Sequence, residues 1–346
     1  MMKDSVKEVA EYFGKRAARY QLSQETCPMA RSLDLIPYVY VIDGVIRQFS
    51  RSPGDLRIFD AFGGSGFLSR SFAHTEIRFT IADCTNAYKQ DGSNKHEWLI
   101  CPDYFRAISA ERAGEYDLVF AHGGLHHVYV KDNAGLEDET SVGLQHQCVA
   151  NLSRLLRKGG FLVLADIPDR PSRVDAHGSD ISLIDTSMAI DLFGNERLAF
   201  LRSAATDFSL SPSLNNTCHT VESIFRDSTH PGSLRRFFDE EVARKTPNGH
   251  EACFLDFERI IARAAKHDLC LMALIPYPGA WVFETANQAV WFFREMFGFG
   301  QSMPPFQEDS QDYVVKSAIS DTLGMRSVGD HLAVNWGVSY AIFRRD

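Results

Sequence analysis

Leu56–Leu68 reads LRIFDAFGGSGFL, and the organisation of the whole chain can be worked outward from it. An apolar run ends at Asp60, a cluster of Gly63, Gly64 and Gly66 follows, and Phe67–Ala73 can open a helix. The order is strand, tight turn, helix N-terminus. Glycines there let the backbone come close to a ligand, and N–H groups at a helix start favour negative charge. Taken alone the pattern is weak, because a glycine-rich turn after a strand also serves purely structural ends.

Beyond the turn, strands and helices alternate. Arg78–Ala82 is a short strand ending at Asp83, and Glu97–Cys101 is a third, followed by Pro102 and Asp103. Tyr116–Ala121 (YDLVFA) is a fourth strand, with HGGLHHV after it. Val142–Leu156 is an amphipathic helix with Lys158-Gly159-Gly160 as its stop, and Phe161–Ile167 (FLVLADI) is an almost wholly apolar strand. Such strands, separated by helices, imply a parallel sheet covered on both faces. Ahead of the turn, residues 4–22 read as helical, and residues 29–50 as a second helical stretch whose first part Pro37 unsettles.

After residue 167 the regularity breaks. Residues 168–250 carry only short helical pieces such as Met188–Ala205 and Val221–Phe225. A helix returns at Phe254–His267 and a strand at Leu269–Ile275, before Pro276, Pro278 and Gly279 interrupt. An aromatic-rich helix at Asn287–Phe297 and a last strand at Leu332–Arg344 complete the chain.

Composition narrows the class. The 346 residues are 45% hydrophobic and 23% charged, ordinary for a globular protein, and the net charge of −9 argues against a nucleic-acid backbone as partner. The seven cysteines are scattered with no CxxC pair, so neither a zinc site nor a disulfide framework is suggested. The charged, amphipathic opening MMKDSVKEVAEYF has no apolar leader core, and no run reaches the length of a membrane span. A cytoplasmic protein without membrane contact is expected.

In this order the signals resemble the class I S-adenosylmethionine-dependent methyltransferases, over about residues 8–167 and again from about 254. In that family a strand ends in Asp or Glu before a GxG turn, which Asp60, Gly64 and Gly66 fit. An acidic residue ends the second strand and holds the ribose hydroxyls; Asp83 lies 17 residues after Gly66, where it should. After the third strand, Asp103 is the nearest fit to the residue that meets the adenine. YDLVFA with LHHV resembles a segment of small-molecule methyltransferases, and LLRKGGFLVLADI the family's helix, turn and fifth strand. VAEYFGKRAARYQ is similar to the N-terminal helix that closes over the cofactor in the menaquinone and biotin methyltransferase group. Two departures stand out: Phe62 replaces the usual first glycine, as in amino-methyltransferases acting on DNA, but AHGG stands where those have DPPY.

The resemblance implies a cofactor site of Asp60, Phe62, Gly63, Gly64, Gly66, Asp83, Asp103 and His122, with Tyr12 and Tyr20 from the N-terminal helix. Tyr12, Arg16 and Tyr20 share a helix face, either capping the cofactor's carboxylate end or remaining exposed. His126, His127 and His122 lie beyond the fourth strand, on the edge where such sheets bind ligands. One of them, His126 first, can take a proton from the acceptor; the alternative is that all three pack the loop. No acid nearby completes a metal ligand set with His122 and His126. Trp281, Phe283, Trp291, Phe292, Phe293, Phe297, Phe299 and Phe306 are mostly core, with part of the set lining an apolar substrate pocket. His177, His219, His230 and His250 are weaker substrate-site candidates.

The expected architecture is α/β: a Rossmann-like, seven-stranded, mostly parallel sheet with helices on both faces. Residues 1–50 form a helical cap, 51–167 the cofactor-binding core, 168–250 an inserted lid, and 251–346 the rest of the core with a helical insertion at 284–330. The expected activity is methyl transfer from S-adenosylmethionine to the O, N or C atom of a small-molecule acceptor in specialised metabolism, by a possible homodimer. A cyclase or rearrangement enzyme that retains the cofactor, and a cofactor-binding accessory subunit, are the alternatives.

Overall fold

The computed structural model describes residues 2–27, 30–49, 52–72, 75–89, 95–129, 139–169, 232–245, 252–277, 280–299, 308–328 and 331–346. The strand of the glycine turn, β1 (Arg57–Ala61), is buried along all but its first residue. An apolar strand buried on both faces belongs in the middle of a parallel sheet. There it pairs in parallel with β2 (Arg78–Asp83) on one side and β4 (Tyr116–His122) on the other. Outside these lie β3 (Glu97–Ile100), parallel to β2, and β5 (Leu156–Asp166), parallel to β4. β10 (Val338–Arg345) runs antiparallel between β5 and β6 (Leu269–Tyr277). Among the described residues this gives a seven-stranded sheet of order β3-β2-β1-β4-β5-β10-β6, the fold class expected from the resemblance.

Alternate strand residues serve two cores. One core joins Ile58, Phe120, Val163 and Ile342 to Tyr38, Val41 and Val45 of α2 (Ile36–Phe49). The other joins Phe59, Val119, Leu162 and Phe343 to Val149 and Leu152 of α5 (Glu139–Leu155) and to Ile260 of the helix Phe257–Ala264. The long N-terminal helix α1 (Met2–Thr26) packs against the helix Ala286–Phe297. Because the strand order reverses between β1 and β4, with β2 and β3 added on one side and β4 and β5 on the other, ligand space opens beyond the carboxyl ends of the strands. Asp60, Asp83, His122 and Asp166 all stand at that edge.

Four details differ from the sequence-based expectation. Pro37 is the second residue of α2, a first-turn position where its missing N–H is not needed, so it starts the helix without breaking it. Helix α5 stops at Leu155, and Lys158-Gly159-Gly160 belongs to β5. A Cβ at Gly160 would lie 2.8 Å from the Asp117 carbonyl, so this glycine admits a neighbouring strand. The final strand is two, β9 (His331–Asn335) and β10, broken at Trp336. With β7 (Ala280–Phe283) and β8 (Met325–Val328), β9 forms a second, antiparallel sheet of order β7-β9-β8, and the helices Ala286–Phe297 and Glu308–Ala318 lie between β7 and β8, within the stretch expected to be a helical insertion. Strands of four residues leave too few periods to be told from a helix lead-in. The pieces Met188–Ala205 and Val221–Phe225 lie outside the described residues.

The glycine turn is locked to the loop after β4. Phe62 has φ 58°, a left-handed conformation that a side chain occupies at a cost of about 1–2 kcal/mol. Its ring packs edge-on against Phe105, and a Cβ built at Gly124 would overlap its own Cβ and ring. Gly124→Ala is therefore expected to destabilise the protein by about 1–3 kcal/mol, the range for overpacking. Adding Phe62→Gly removes the overlap, so the two losses should be clearly less than additive in denaturant unfolding. Additive losses would refute the lock.

Candidate functional site

A cavity of about 170 Å³ opens at the carboxyl edge of the sheet. A water needs roughly 10–15 Å³ in the same measure, so the space suits a ligand of many atoms. Its glycine-turn end is lined by Asp60, Phe62, Gly63, Gly64, Asp83, Tyr88 and Phe105. Its other end is lined by His126, His127, Ile167, Phe238, Trp281, Phe297 and Trp336, with Arg31, Phe67 and His122 also in the wall.

At the turn, the Gly64 N–H donates to Asp83 Oδ2 at 3.0 Å and the Thr85 N–H to Asp83 Oδ1 at 3.3 Å. A side chain at Gly63 would run into Ile81 and the Asp60 carboxylate, while at Gly64 a Cβ would make only ordinary contact with the Phe62 carbonyl at 3.9 Å, and φ 49° is what favours glycine there. Burial raises the pKa of Asp83 against the pull of these N–H groups. Asp60 is more extreme. It is 2% exposed, and its Oδ2 has no hydrogen-bond partner among the described residues. Burial and then the neighbouring Asp83 charge push its pKa up to about 8, against the opposing pull of Arg31.

A buried network fills the segment before α2. Arg31 donates from Nε to Asp34 Oδ2 at 3.2 Å and from a terminal nitrogen to the Tyr20 hydroxyl at 3.3 Å, and its guanidinium lies 4.1 Å from the Phe67 ring centre. Trp281 Nε1 donates to the same Asp34 oxygen at 3.1 Å. His122 Nε2 lies 3.8 Å from it, and His122 Nδ1 shares a 2.6 Å hydrogen bond with the Tyr38 hydroxyl. Burial, then the Arg31 and His126 charges, hold the His122 pKa well below its ordinary value, so the ring is neutral.

The second half of the site is an imidazole–carboxylate pair. His126 Nδ1 lies 2.7 Å from Asp166 Oδ1, and the Leu125 and His126 N–H groups both donate to Asp166 Oδ2. Ile167 N–H donates to Oδ1. Four donors thus fix the carboxylate, and the carboxylate fixes the ring, with Nδ1–H directed at Asp166 and Nε2 left as the basic nitrogen. His127 packs on Phe13 of α1 and on His126.

No protein-family model matches this sequence, and neither does any curated protein. Solved structures do match in fold. A putative methyltransferase from Bacillus halodurans is 13% identical, with a TM-score of 0.41, over 88% of this chain and 97% of that one. The [4+2]-cyclase SpnF is 12% identical, with a TM-score of 0.40, over 88% and 79%. A geranyl diphosphate C-methyltransferase from Streptomyces coelicolor, solved with Mg2+, geranyl diphosphate and S-adenosyl-L-homocysteine, is 9% identical, with a TM-score of 0.38, over 88% and 76%. These values are low, and the fold is read from the strand order, not from them.

Of the residues singled out in the sequence, Asp60, Phe62, Gly63, Gly64, Asp83, His122, His126, His127 and Tyr20 meet at the cavity. Four do not. Gly66, at φ 73°, is the N-cap of α3 (Phe67–Ser71) and packs near Ser69 and Trp98. Asp103 turns away to cap α4 (Arg106–Glu111), accepting from the Ala107 N–H at 2.9 Å. Arg16 donates to the Tyr12 hydroxyl and to the carbonyls of Glu295 and Met296, capping the helix Ala286–Phe297, so Tyr12 and Arg16 hold α1 in place instead of facing the cavity. Among the described residues no group of three or more His, Cys, Asp or Glu is placed to hold a metal ion, and no helix is long and apolar enough to cross a membrane. His177, His219, His230 and His250 lie outside the described residues.

Sequence reasoning missed Arg31, Asp34 and Asp166. Asp166 had a usable signal, since it ends β5 as Asp83 ends β2. Asp60 gives the site a pH signature. The unfolded chain ionises there above about pH 3.8, while the folded chain keeps the proton to about 8, so stability falls as pH rises across that window. Asp60→Asn should gain on the native protein in urea unfolding from about pH 5 upward and stop gaining above the folded pKa. A constant difference would show that Asp60 is not protonated in the folded state.

Proposed function

We propose that this chain transfers a methyl group from S-adenosylmethionine to a small-molecule acceptor. The observation that carries this reading is the meeting, in one cavity, of a carboxylate pair at a glycine turn with the Asp166-oriented His126. The site fits the cofactor on its own chemistry. Asp60 presents a buried oxygen in need of a donor or cation, which an α-ammonium group supplies. Asp83 Oδ2, which accepts the Gly64 N–H, retains a lone pair for a ribose hydroxyl, while Oδ1 is taken up by the Thr85 N–H and the Cys84 thiol. Of the five N–H donors of Arg31, Asp34 and Tyr20 account for two, so the guanidinium with Tyr20 suits the cofactor's carboxylate, the end for which Tyr12, Arg16 and Tyr20 were candidates in the sequence. Tyr104 and Phe105 stand where Asp103 was expected and offer rings for the base.

When bound, S-adenosylmethionine supplies an electrophilic methyl group on a sulfonium. The chain's own tasks are to orient the acceptor, exclude water and remove its proton. Phe13, Phe238 and Phe297 supply an apolar enclosure. His126 would hold the acceptor's proton on Nε2, and Asp166 would stabilise the resulting imidazolium through Nδ1–H.

S-adenosylhomocysteine should bind in calorimetry with micromolar affinity, about −8 kcal/mol. Asp83→Ala should weaken it by roughly 1.5–3 kcal/mol. No binding to the folded protein would remove the proposal. His126→Asn, which can still donate to Asp166, should lower kcat by about 10²–10⁴-fold while cofactor affinity holds. Equal losses in rate and affinity would instead assign His126 to loop structure. Turnover sustained by S-adenosylhomocysteine alone would favour a non-methylating reaction.

A further inference from the structure

The second sheet shapes the cavity's other end. β7 contributes Trp281, and the break between β9 and β10 contributes Trp336; their rings stack at 3.7 Å with 20° between planes. The Asp34 hydrogen bond holds the first indole in place. Phe297 lies across Trp336 at 5.7 Å. From the inserted segment, fully buried Phe237 anchors its neighbour Phe238, which meets Phe297 at 5.7 Å and Trp336 at 6.0 Å. Four distant parts of the chain thus supply one rigid aromatic wall.

Its charge pattern is one-sided. The acidic and basic residues that line the cavity, Asp60, Asp83 and Arg31, belong to the glycine turn and the Tyr20 network. Arg31 also reaches the Trp281 ring, 5.9 Å from its centre, but around Trp336, Phe238 and Phe297 the lining holds no Lys, Arg, Asp or Glu among the described residues. A charged ligand there loses its hydration with no partner to replace it. A flat ring gains edge and face contacts beyond its buried area. The polar groups at this end are imidazoles: His126 and His127 lie 4.0 Å apart, and His126 lies 6.5 Å from Phe238.

We infer that the acceptor, on the methyltransferase reading of this site, is a flat, uncharged aromatic or conjugated molecule bearing a hydroxyl. Its rings lie among Trp336, Trp281, Phe238 and Phe297, with the hydroxyl against His126. Cation–π attraction makes an aryl ammonium the sharpest competitor, and an aryl carboxylate the second.

The test needs no turnover. Naphthol, naphthalene, naphthoate and naphthyl trimethylammonium are titrated into the full chain with saturating S-adenosylhomocysteine, reading tryptophan fluorescence. Naphthol should bind about tenfold more tightly than either charged probe and more tightly than naphthalene. Trp336→Leu should weaken naphthol by about tenfold without altering S-adenosylhomocysteine calorimetry. The probe ranking on the native chain decides the matter even if that variant fails to fold. A charged probe binding as well as naphthol, naphthalene binding as well as naphthol, or no probe binding would overturn the inference and leave the cofactor reading standing. Absent S-adenosylhomocysteine binding would instead overturn that reading, and the same titrations without it would still rank the probes.

Discussion

One carboxylate holds the parts of the site together. Asp34 is 1% exposed, and a single oxygen of it receives Arg31 Nε and Trp281 Nε1 while lying 3.8 Å from His122. Its backbone carbonyl accepts from the Tyr340 hydroxyl on β10. The segment before α2, the second sheet, the end of β4 and the antiparallel strand therefore share one anchor. Burial raises the Asp34 pKa, and Arg31 and the indole N–H oppose that rise. A buried ion pair adds little net stability, yet removing one partner strands the other charge, at a cost of about 3–5 kcal/mol. The pair is better understood as fixing where Trp281 and His122 stand than as a source of stability.

That anchor separates the cavity into two electrostatic environments. On the glycine-turn side, burial first and the neighbouring Asp83 charge second keep Asp60 protonated near neutral pH, against the opposing pull of Arg31. On the aromatic side, the polar groups are imidazoles, and one of them is held in a single tautomer by Asp166. A cationic, hydroxyl-bearing ligand suits the first environment and a neutral apolar one the second. The division follows from strand order. β1 and β2 carry acids to the edge, whereas the segments bordering β10 bring indoles.

How far this was legible in the sequence depended on the distance between partners. The glycine turn, the Asp83 strand end and the histidines after β4 each follow from local patterns, and all reach the cavity. Arg31 and Asp34 did not announce themselves, because they sit beside an apolar helical stretch and look like ordinary solvated charges. Their meaning comes from Trp281, 247 residues away from Asp34. Arg16 misled for the same reason. Its helix face was right, but the backbone carbonyls it meets lie 279 and 280 residues further along. Asp103 was read as a ligand contact where helix capping, a local demand, used its carboxylate first.

Phe62 and Gly124 form one contact across two loops. Where β1 and β4 diverge, the two loops approach so closely that only one of them can carry a side chain. The resemblance places the bare position in the β1 turn. Here Phe62 fills it in a left-handed conformation, and the bare position is Gly124, in the AHGG segment after β4. The exchange has a consequence for the cavity. A phenyl ring now lies at the turn, against Phe105, which itself has φ 67° after Tyr104 at φ 50°. Left-handed residues other than glycine persist where surrounding packing over-determines them, and they gather at ligand sites. Of the four such residues among the described ones, Phe62, Tyr104 and Phe105 line the cavity at its glycine-turn end, and Asp268 stands apart, just before β6. Three of the four strained residues thus gather at one end of the cavity, and on the proposed reading the rings that they position supply flat surfaces for the cofactor's base.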